Sequence, residues 1–245
     1  MYTGIYRIAG LVWEFRTLHQ EVHALCADYR SGAAPDLTLA IEQADLDRER
    51  AISAREDALE GKPVRHFPDS YLETLAVYRK LVNQAVRRDL LLFHGSAIAV
   101  EGRAYLFTAK SGTGKSTHTR LWRELLGEKA LMVNDDKPLL KVEPTGVEVY
   151  GTPWNGKHHL GTNTSAPLRA ICILERGEVN EIHPISVREA LPALMQQSYR
   201  PASPADLPPY LDLLDRLAQN VKFYRLRCNM EPEAAQVSYE ALRQA

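Results

Sequence analysis

Hydrophobic positions along the chain change period several times, and each change marks an element. Residues 4–16, GIYRIAGLVWEFR, partly alternate β-branched and aromatic residues with polar ones, which predicts a strand. Leu18, Val22 and Leu25 recur at helical spacing and predict a helix over 17–33, ended by Ser31-Gly32 and Pro35. Leu37 to Ile41 reads as a second strand. The charge-rich residues 42–65 predict a solvated helix or a mobile surface segment. Ser70-Tyr-Leu-Glu73 has capping-box spacing, and Leu72, Leu75, Tyr78, Val82 and Ala85 form one apolar helical face behind it.

Period 2 then returns. Leu91 to Val100 predicts a strand, Glu101-Gly102 a tight turn, and Arg103 to Thr108 an antiparallel partner. A helix follows to about Leu126, with Gly127 as its stop. Residues 130–143 predict another strand, and 152–165 a polar, basic loop. Residues 168–176 read as a buried strand. Ser186 and Glu189 form a second capping box before a helix that Pro192 bends. A helix over 204–219, a strand over 221–228 and a helix from Pro232 complete an α/β chain with a mixed sheet. The expected division is an N-terminal α+β extension, 1–68, and a main domain, 69–245.

At 245 residues the chain can bury a sizeable core. A formal net charge of −1 gives no bulk attraction to nucleic acid or to an anionic membrane, so neither is an expected partner. The N-terminal stretch has no basic start and carries Glu14 soon after its apolar run, so it reads as neither a signal peptide nor a membrane span. Cys26, Cys172 and Cys228 are odd in number, far apart and without metal-site spacing. A reduced, cytoplasmic protein is the expectation.

The chemistry concentrates in YLFTAKSGTGKSTHTRLW, residues 105–122. An apolar strand, a glycine-rich turn, Lys115-Ser116 and a helix are the context of a phosphate-binding loop. Gly112 and Gly114 let the backbone of Ser111–Thr117 turn its N–H groups into one concavity, and the helix N-terminus adds further donors. Lys115 brings a point charge to the β- and γ-phosphates, and Ser116 brings a hydroxyl to Mg²⁺. Ala109 stands where the common motif has glycine.

Asp135 and Asp136 follow nineteen positions after Ser116, at the end of an apolar run where a metal-holding carboxylate is expected. One can hold Mg²⁺ while the other accepts a proton from an incoming hydroxyl; spacing alone leaves open which does which. His94 is a further candidate. Lys137 and Lys157 are candidate phosphate contacts, Trp154 a candidate base-stacking or lid residue, and Arg200 a candidate acceptor contact. The adjacent His158 and His159 face opposite ways on an extended chain and lack an evident third ligand.

His94-Gly95, the hairpin, SGTGKS and the Asp135-Asp136 pair, in that order, resemble the catalytic domain of HPr kinase/phosphorylase, of the phosphoenolpyruvate-carboxykinase-like P-loop group. The resemblance spans residues 90–175. It implies a carboxykinase-like mixed-sheet fold and ATP with Mg²⁺. It also implies His94 acting on the acidic pair, Asp135 as acid/base, Lys115 and Ser116 on phosphates and metal, and Asp136 on the metal or the loop. Thr117 departs from that family's glutamate after GKS, and Thr152–His159 replaces a glutamate-containing motif. Residues 1–90 do not match its N-terminal domain, so HPr is not the expected acceptor and the reverse reaction is not implied.

The expected activity is transfer of a γ-phosphoryl group to a hydroxyl, either Ser/Thr of a peptide or protein or a small metabolite. The N-terminal residues would supply recognition or homo-oligomer contacts. The alternative is a nucleotide-binding switch or slow ATPase, which needs only one carboxylate. A decarboxylating carboxykinase would need a longer chain and further metal ligands.

Overall fold

Ala9 and Gly10 take up φ of 51° and 80° and turn the first apolar stretch back on itself. The single strand expected over 4–16 is therefore a hairpin of β1 (Tyr2–Ile8) and antiparallel β2 (Leu11–Thr17). Strand β3 (Leu37–Ala40) adds parallel to β2. Between them the expected helix shrinks to α1 (Glu21–Leu25) and one 3₁₀ turn. His23 explains the arrest, because its ring is held by Tyr6 Oη at 2.6 Å and Thr17 Oγ1 at 2.8 Å.

The charged stretch forms α2 (Gln43–Leu59), the helical one of its two expected states. Three of its acids are buried in ion pairs: Asp45 with Lys80, Glu49 with Arg79 and Asp57 with Arg65. Helix α3 (Asp69–Ala85) begins one residue ahead of Ser70, and the expected capping box does not close. Glu73 is fully buried and accepts the N–H groups of Leu18 at 2.6 Å and His19 at 2.8 Å instead. These bonds tie α3 to the N-terminal elements. The computed structural model describes all 245 residues in two units, Met1–Gln84 and Ala85–Ala245, which divide at the last turn of α3.

The second unit contains, in chain order, β4 (Leu90–Leu92), β5 (Ser96–Val100), β6 (Arg103–Thr108), α4 (Lys115–Leu126), β7 (Ala130–Asn134), β8 (Leu139–Glu143), β9 (Gly146–Tyr150), β10 (Ser165–Arg176), β11 (Glu181–Ile185), α5 (Val187–Gln197), α6 (Leu207–Asn220), β12 (Lys222–Cys228) and α7 (Pro232–Leu242). Its nine strands form one curled mixed sheet in the order β4-β8-β9-β10-β6-β5-β7, with β12 beside β10 and β11 beside β12. Strand β10 makes the curl. Its first residues pair antiparallel with β9, and after a register shift at Leu168/Ala170 it runs parallel to β6 and β12. Strand β11 escapes sequence pattern because its residues are partly or fully exposed and include Pro184.

Alternation along β6 feeds two cores. Leu106 packs with Leu194, Tyr210, Leu213 and Leu217 of α5 and α6. Tyr105 and Phe107 pack with Trp122 of α4 and with Ala234, Ala235 and Leu242 of α7. Helices thus cover both faces of the sheet, with β6 and the start of α4 between them.

Two strands expected to be continuous are broken, and the breaks lie together. The 91–100 run stops at Phe93–Gly95, and the 130–143 run stops at Asp135–Pro138. Phe93 N–H donates to Pro138 O at 3.2 Å, Gly95 N–H to Asp136 O at 3.1 Å, and His94 N–H to Gln197 O at 2.7 Å. Each half-strand then pairs with a different partner: β4 with β8, and β5 with β6 and β7.

Candidate active site

The glycine-rich loop leaves β6 and enters α4 through Gly112 at φ 77° and Gly114 at φ 127°, conformations that L-residues rarely adopt. Gly114 is the N-cap of α4, and no side chain caps the helix. The first-turn N–H groups at Lys115, Ser116 and Thr117 are the ones such an end leaves open to an anion. Ala109 packs into the apolar core beside Phe107 and Leu121, so its methyl has a place in the fold. Arg176, at the end of β10, donates to Gly112 O at 2.5 Å and pins the loop from the sheet edge.

Lys115 is nearly buried, and its ammonium donates to Ala109 O at 3.0 Å across the loop. Burial lowers its pKa, and the negative field of Asp136 opposes that shift. The two groups therefore sense each other before any ligand is added.

Asp135 and Asp136 have different surroundings. Asp135 is 5% exposed, and its Oδ1 accepts Gly156 N–H at 2.7 Å. Its backbone carbonyl accepts Ser96 Oγ–H at 2.9 Å. Asp136 lies 3.3 Å from His94 Nε2 and 3.4 Å from Lys137 Nζ. Burial would raise its pKa, but the His94 hydrogen bond and the Lys137 charge outweigh that and hold it below the usual carboxylate value. His94 is itself fixed by Gln197 Oε1, 2.8 Å from its Nδ1. The histidine thus acts on Asp136. Of the acidic pair on which it was expected to act, His94 meets Asp136, which the strand break brings against it.

Asn134 organises this corner. Its Oδ1 accepts the N–H groups of Asp136 at 2.9 Å and Lys137 at 2.6 Å. Its amide nitrogen reaches Thr152 Oγ1 and Asn155 Oδ1, both at 3.1 Å. One buried side chain therefore holds the 152–156 loop against the acidic turn. The signal was local: an Asn ahead of an Asp pair at a strand end is a turn former.

One cavity of about 840 Å³ collects His94, Ser111, Gly112, Gly114, Lys115, Ser116, Thr117, Asp135, Asp136 and Lys157. Thr113 faces a smaller neighbouring cavity. Lys137 is held beside Asp136 but does not line the main cavity. Trp154 is 5% exposed and does not line it either, which favours the packed anchor of the loop over the base-stacking alternative. Arg200 is exposed and outside the lining.

Two arginines in the lining were not expected: Arg120 and Arg123 of α4. With Ser116 they fall at i, i+4 and i+7, one helical face, so the signal was present in the spacing. Arg120 is paired with Glu124 at 2.6 Å, while the buried Nε of Arg123 has no partner.

The donor set fits a nucleoside triphosphate with magnesium. It offers an uncapped helix N-terminus, a lysine, an orphaned guanidinium nitrogen, a serine hydroxyl and two carboxylates. Magnesium is ordinarily held by one or two carboxylates together with substrate phosphates, so this many protein oxygens suffice. Elsewhere in the chain, no helix is long and apolar enough to cross a membrane.

Residues 69–233 match the family model described as "SynChlorMet cassette protein ScmC". No curated protein matches the chain. Among solved structures, the Hpr(Ser) kinase/phosphatase from Coxiella burnetii is similar with a TM-score of 0.33 and 9% identity, over 62% of this chain and 97% of that one. At that level no residue correspondence follows.

Proposed function

The chain belongs to the SynChlorMet cassette protein ScmC family, whose model covers more than half of it, and for this member we propose ATP- and magnesium-dependent transfer of a γ-phosphoryl group to a hydroxyl. The observation that carries the reading is the meeting of the uncapped phosphate-binding loop and both carboxylates on one cavity. A loop that only binds nucleotide needs one metal-side carboxylate; here a second, differently held one stands beside it. In this reading the fold is a P-loop domain of the carboxykinase type.

The surroundings support one division of roles. Asp136 is kept ionised by His94 and Lys137, which suits a metal-side ligand and makes it a poor base. Ser116 shares that side. Asp135 is the general base, with Oδ1 fixed by Gly156 and Oδ2 left to take a proton. As the acceptor hydroxyl gives its proton to Asp135, its oxygen forms the new bond to Pγ. The Pγ–O bond to the β-phosphate breaks, and ADP carries away that electron pair. Lys115 and the helix N-terminus stabilise charge on the phosphates throughout. Magnesium, when bound, neutralises phosphate charge and orients the β- and γ-oxygens. The acceptor is a Ser/Thr of a peptide or protein, or a small hydroxylated metabolite.

The test uses γ-labelled ATP and Mg²⁺ with the full chain, serine-containing peptides and a pool of hydroxylated metabolites. Label on an acceptor, lost in Asp135→Ala while nucleotide binding persists, is the expected result. Nucleotide bound with no acceptor labelled would favour the switch reading.

A further inference from the structure

A second cavity, of about 420 Å³, lies on the other flank of the phosphate-binding loop. The two cavities share Gly112, Gly114 and Thr117 as a common wall. Their chemistry differs. The first holds the carboxylates, Lys115 and two arginines. The second is walled by Leu121, Leu174 and Met230, with Cys228 and His118 beside them.

Apart from its hydroxyls and its thiol, the polar side chains of the second cavity are already engaged. Arg176 bonds to Gly112 O, Glu175 pairs with Arg225 at 3.1 Å, and Asn229 is bonded to Glu178 O and to the N–H of Glu231. His118 is the exception. It is 3% exposed, and its Nδ1 has no partner. Ser238 gives its own proton to Ala235 O and accepts Trp122 Nε1–H. The His118 Nε2 bond to Ser238 at 3.0 Å therefore has the imidazole as donor, which leaves Nδ1 as a bare acceptor. Met230, by contrast, is 74% exposed at the rim, a large apolar side chain with nothing packed over it.

A nucleoside triphosphate has one polyanionic end and one flat, largely apolar end. If the γ-phosphate faces Asp135 and Asp136, the other end must leave the loop on the opposite flank. We propose that the cavity bounded by Leu121, Leu174 and Met230 is the nucleoside pocket. This rests on the phosphoryl-transfer reading of the adjoining cavity. It also excludes the cavity beside Lys110 and Ala193, which shares no wall residue with the carboxylate site.

Cys228 makes the proposal testable without activity. Cys26 and Cys172 are fully buried, so Cys228 is the thiol open to alkylation in the folded chain. The full chain would be treated with N-ethylmaleimide alone, with ATP–Mg²⁺ and with tripolyphosphate–Mg²⁺, and Cys228 modification followed by mass spectrometry. Binding of each ligand would be measured by calorimetry. Saturating ATP should slow the modification about tenfold, and tripolyphosphate should leave it near the free rate. Met230→Glu, a rim substitution that touches no core, should weaken ATP about tenfold and leave tripolyphosphate unchanged. ATP bound with Cys228 unprotected, or equal protection by tripolyphosphate, would overturn the nucleoside pocket alone. No binding of ATP at all would overturn it together with the reading it rests on.

Discussion

His118 gives the sharpest quantitative prediction, because its environment permits only one protonation state. The ring sits under α4 against the edge of Phe107, with centroids 4.7 Å apart. Its Nε2 proton is committed to Ser238, and its Nδ1 faces no acceptor. Adding a proton at Nδ1 would bury a charge with nothing to receive it. Burial accordingly pulls the pKa down from 6.5 to about 4. The unfolded chain therefore binds more protons than the native one between those values. The native state is fully favoured above the unfolded pKa, and stability falls as pH drops through 6.5 towards 4. Each tenfold difference in proton affinity between the two states is worth about 1.4 kcal/mol. The full loss is therefore about 3 kcal/mol, of which about 2 kcal/mol has accrued by about pH 5. His118→Gln keeps an N–H for Ser238 and removes the titration. Urea unfolding of both proteins at about pH 7.5 and about pH 5 should show wild type losing about 2 kcal/mol more than the variant. An NMR titration of the His118 ring should place its midpoint near 4. Parallel stability curves, or a midpoint near the ordinary histidine value, would refute the reasoning.

Four further outcomes follow from the site and its frame. Asp135→Asn keeps an acceptor for Gly156 N–H but no base, so steady-state rates should fall at least about 100-fold with ATP affinity little changed. Gly156→Ala would set a methyl 3.1 Å from Asp135 Oδ2 and 3.4 Å from Asp136 Cβ. Displacing the acids by a few tenths of an ångström should cut kcat about tenfold while calorimetry finds nucleotide binding intact. Lys115→Ala should weaken triphosphate binding at least about tenfold, read by the same calorimetry, and should abolish transfer. Glu73→Ala removes the buried carboxylate that holds two part-buried N–H groups and should cost about 2–4 kcal/mol in urea unfolding, whereas Ser70→Ala should fall within about 0.5 kcal/mol of wild type because no capping box is made there.

The amino-acid sequence by itself determined the local geometry of the phosphate-binding loop. Two glycines at positive φ, a lysine and a serine at a helix start follow from residue type and spacing within a few positions, where backbone sterics act. The same holds for the β5–β6 hairpin, with its turn at Glu101-Gly102, and for the Ser186–Glu189 capping box, which the structure closes. Tertiary structure decided what depends on distant partners. Whether the Leu91–Val100 run stays one strand turns on backbone bonds from Phe93 and Gly95 to Pro138 and Asp136, more than forty positions away. That break sends His94 to Asp136 rather than to Asp135, and no spacing rule distinguishes adjacent aspartates. Glu73 has perfect capping-box spacing yet serves Leu18 and His19, because two part-buried N–H groups from elsewhere compete for its buried carboxylate. Trp154 reads equally as a stacking residue or a packed loop anchor, and it is Asn134 that draws that loop inward and buries it. Local pattern fixes which backbone shapes are open. Which polar groups meet is settled by the cost of leaving a buried donor or acceptor unpaired, and that is a property of the whole fold.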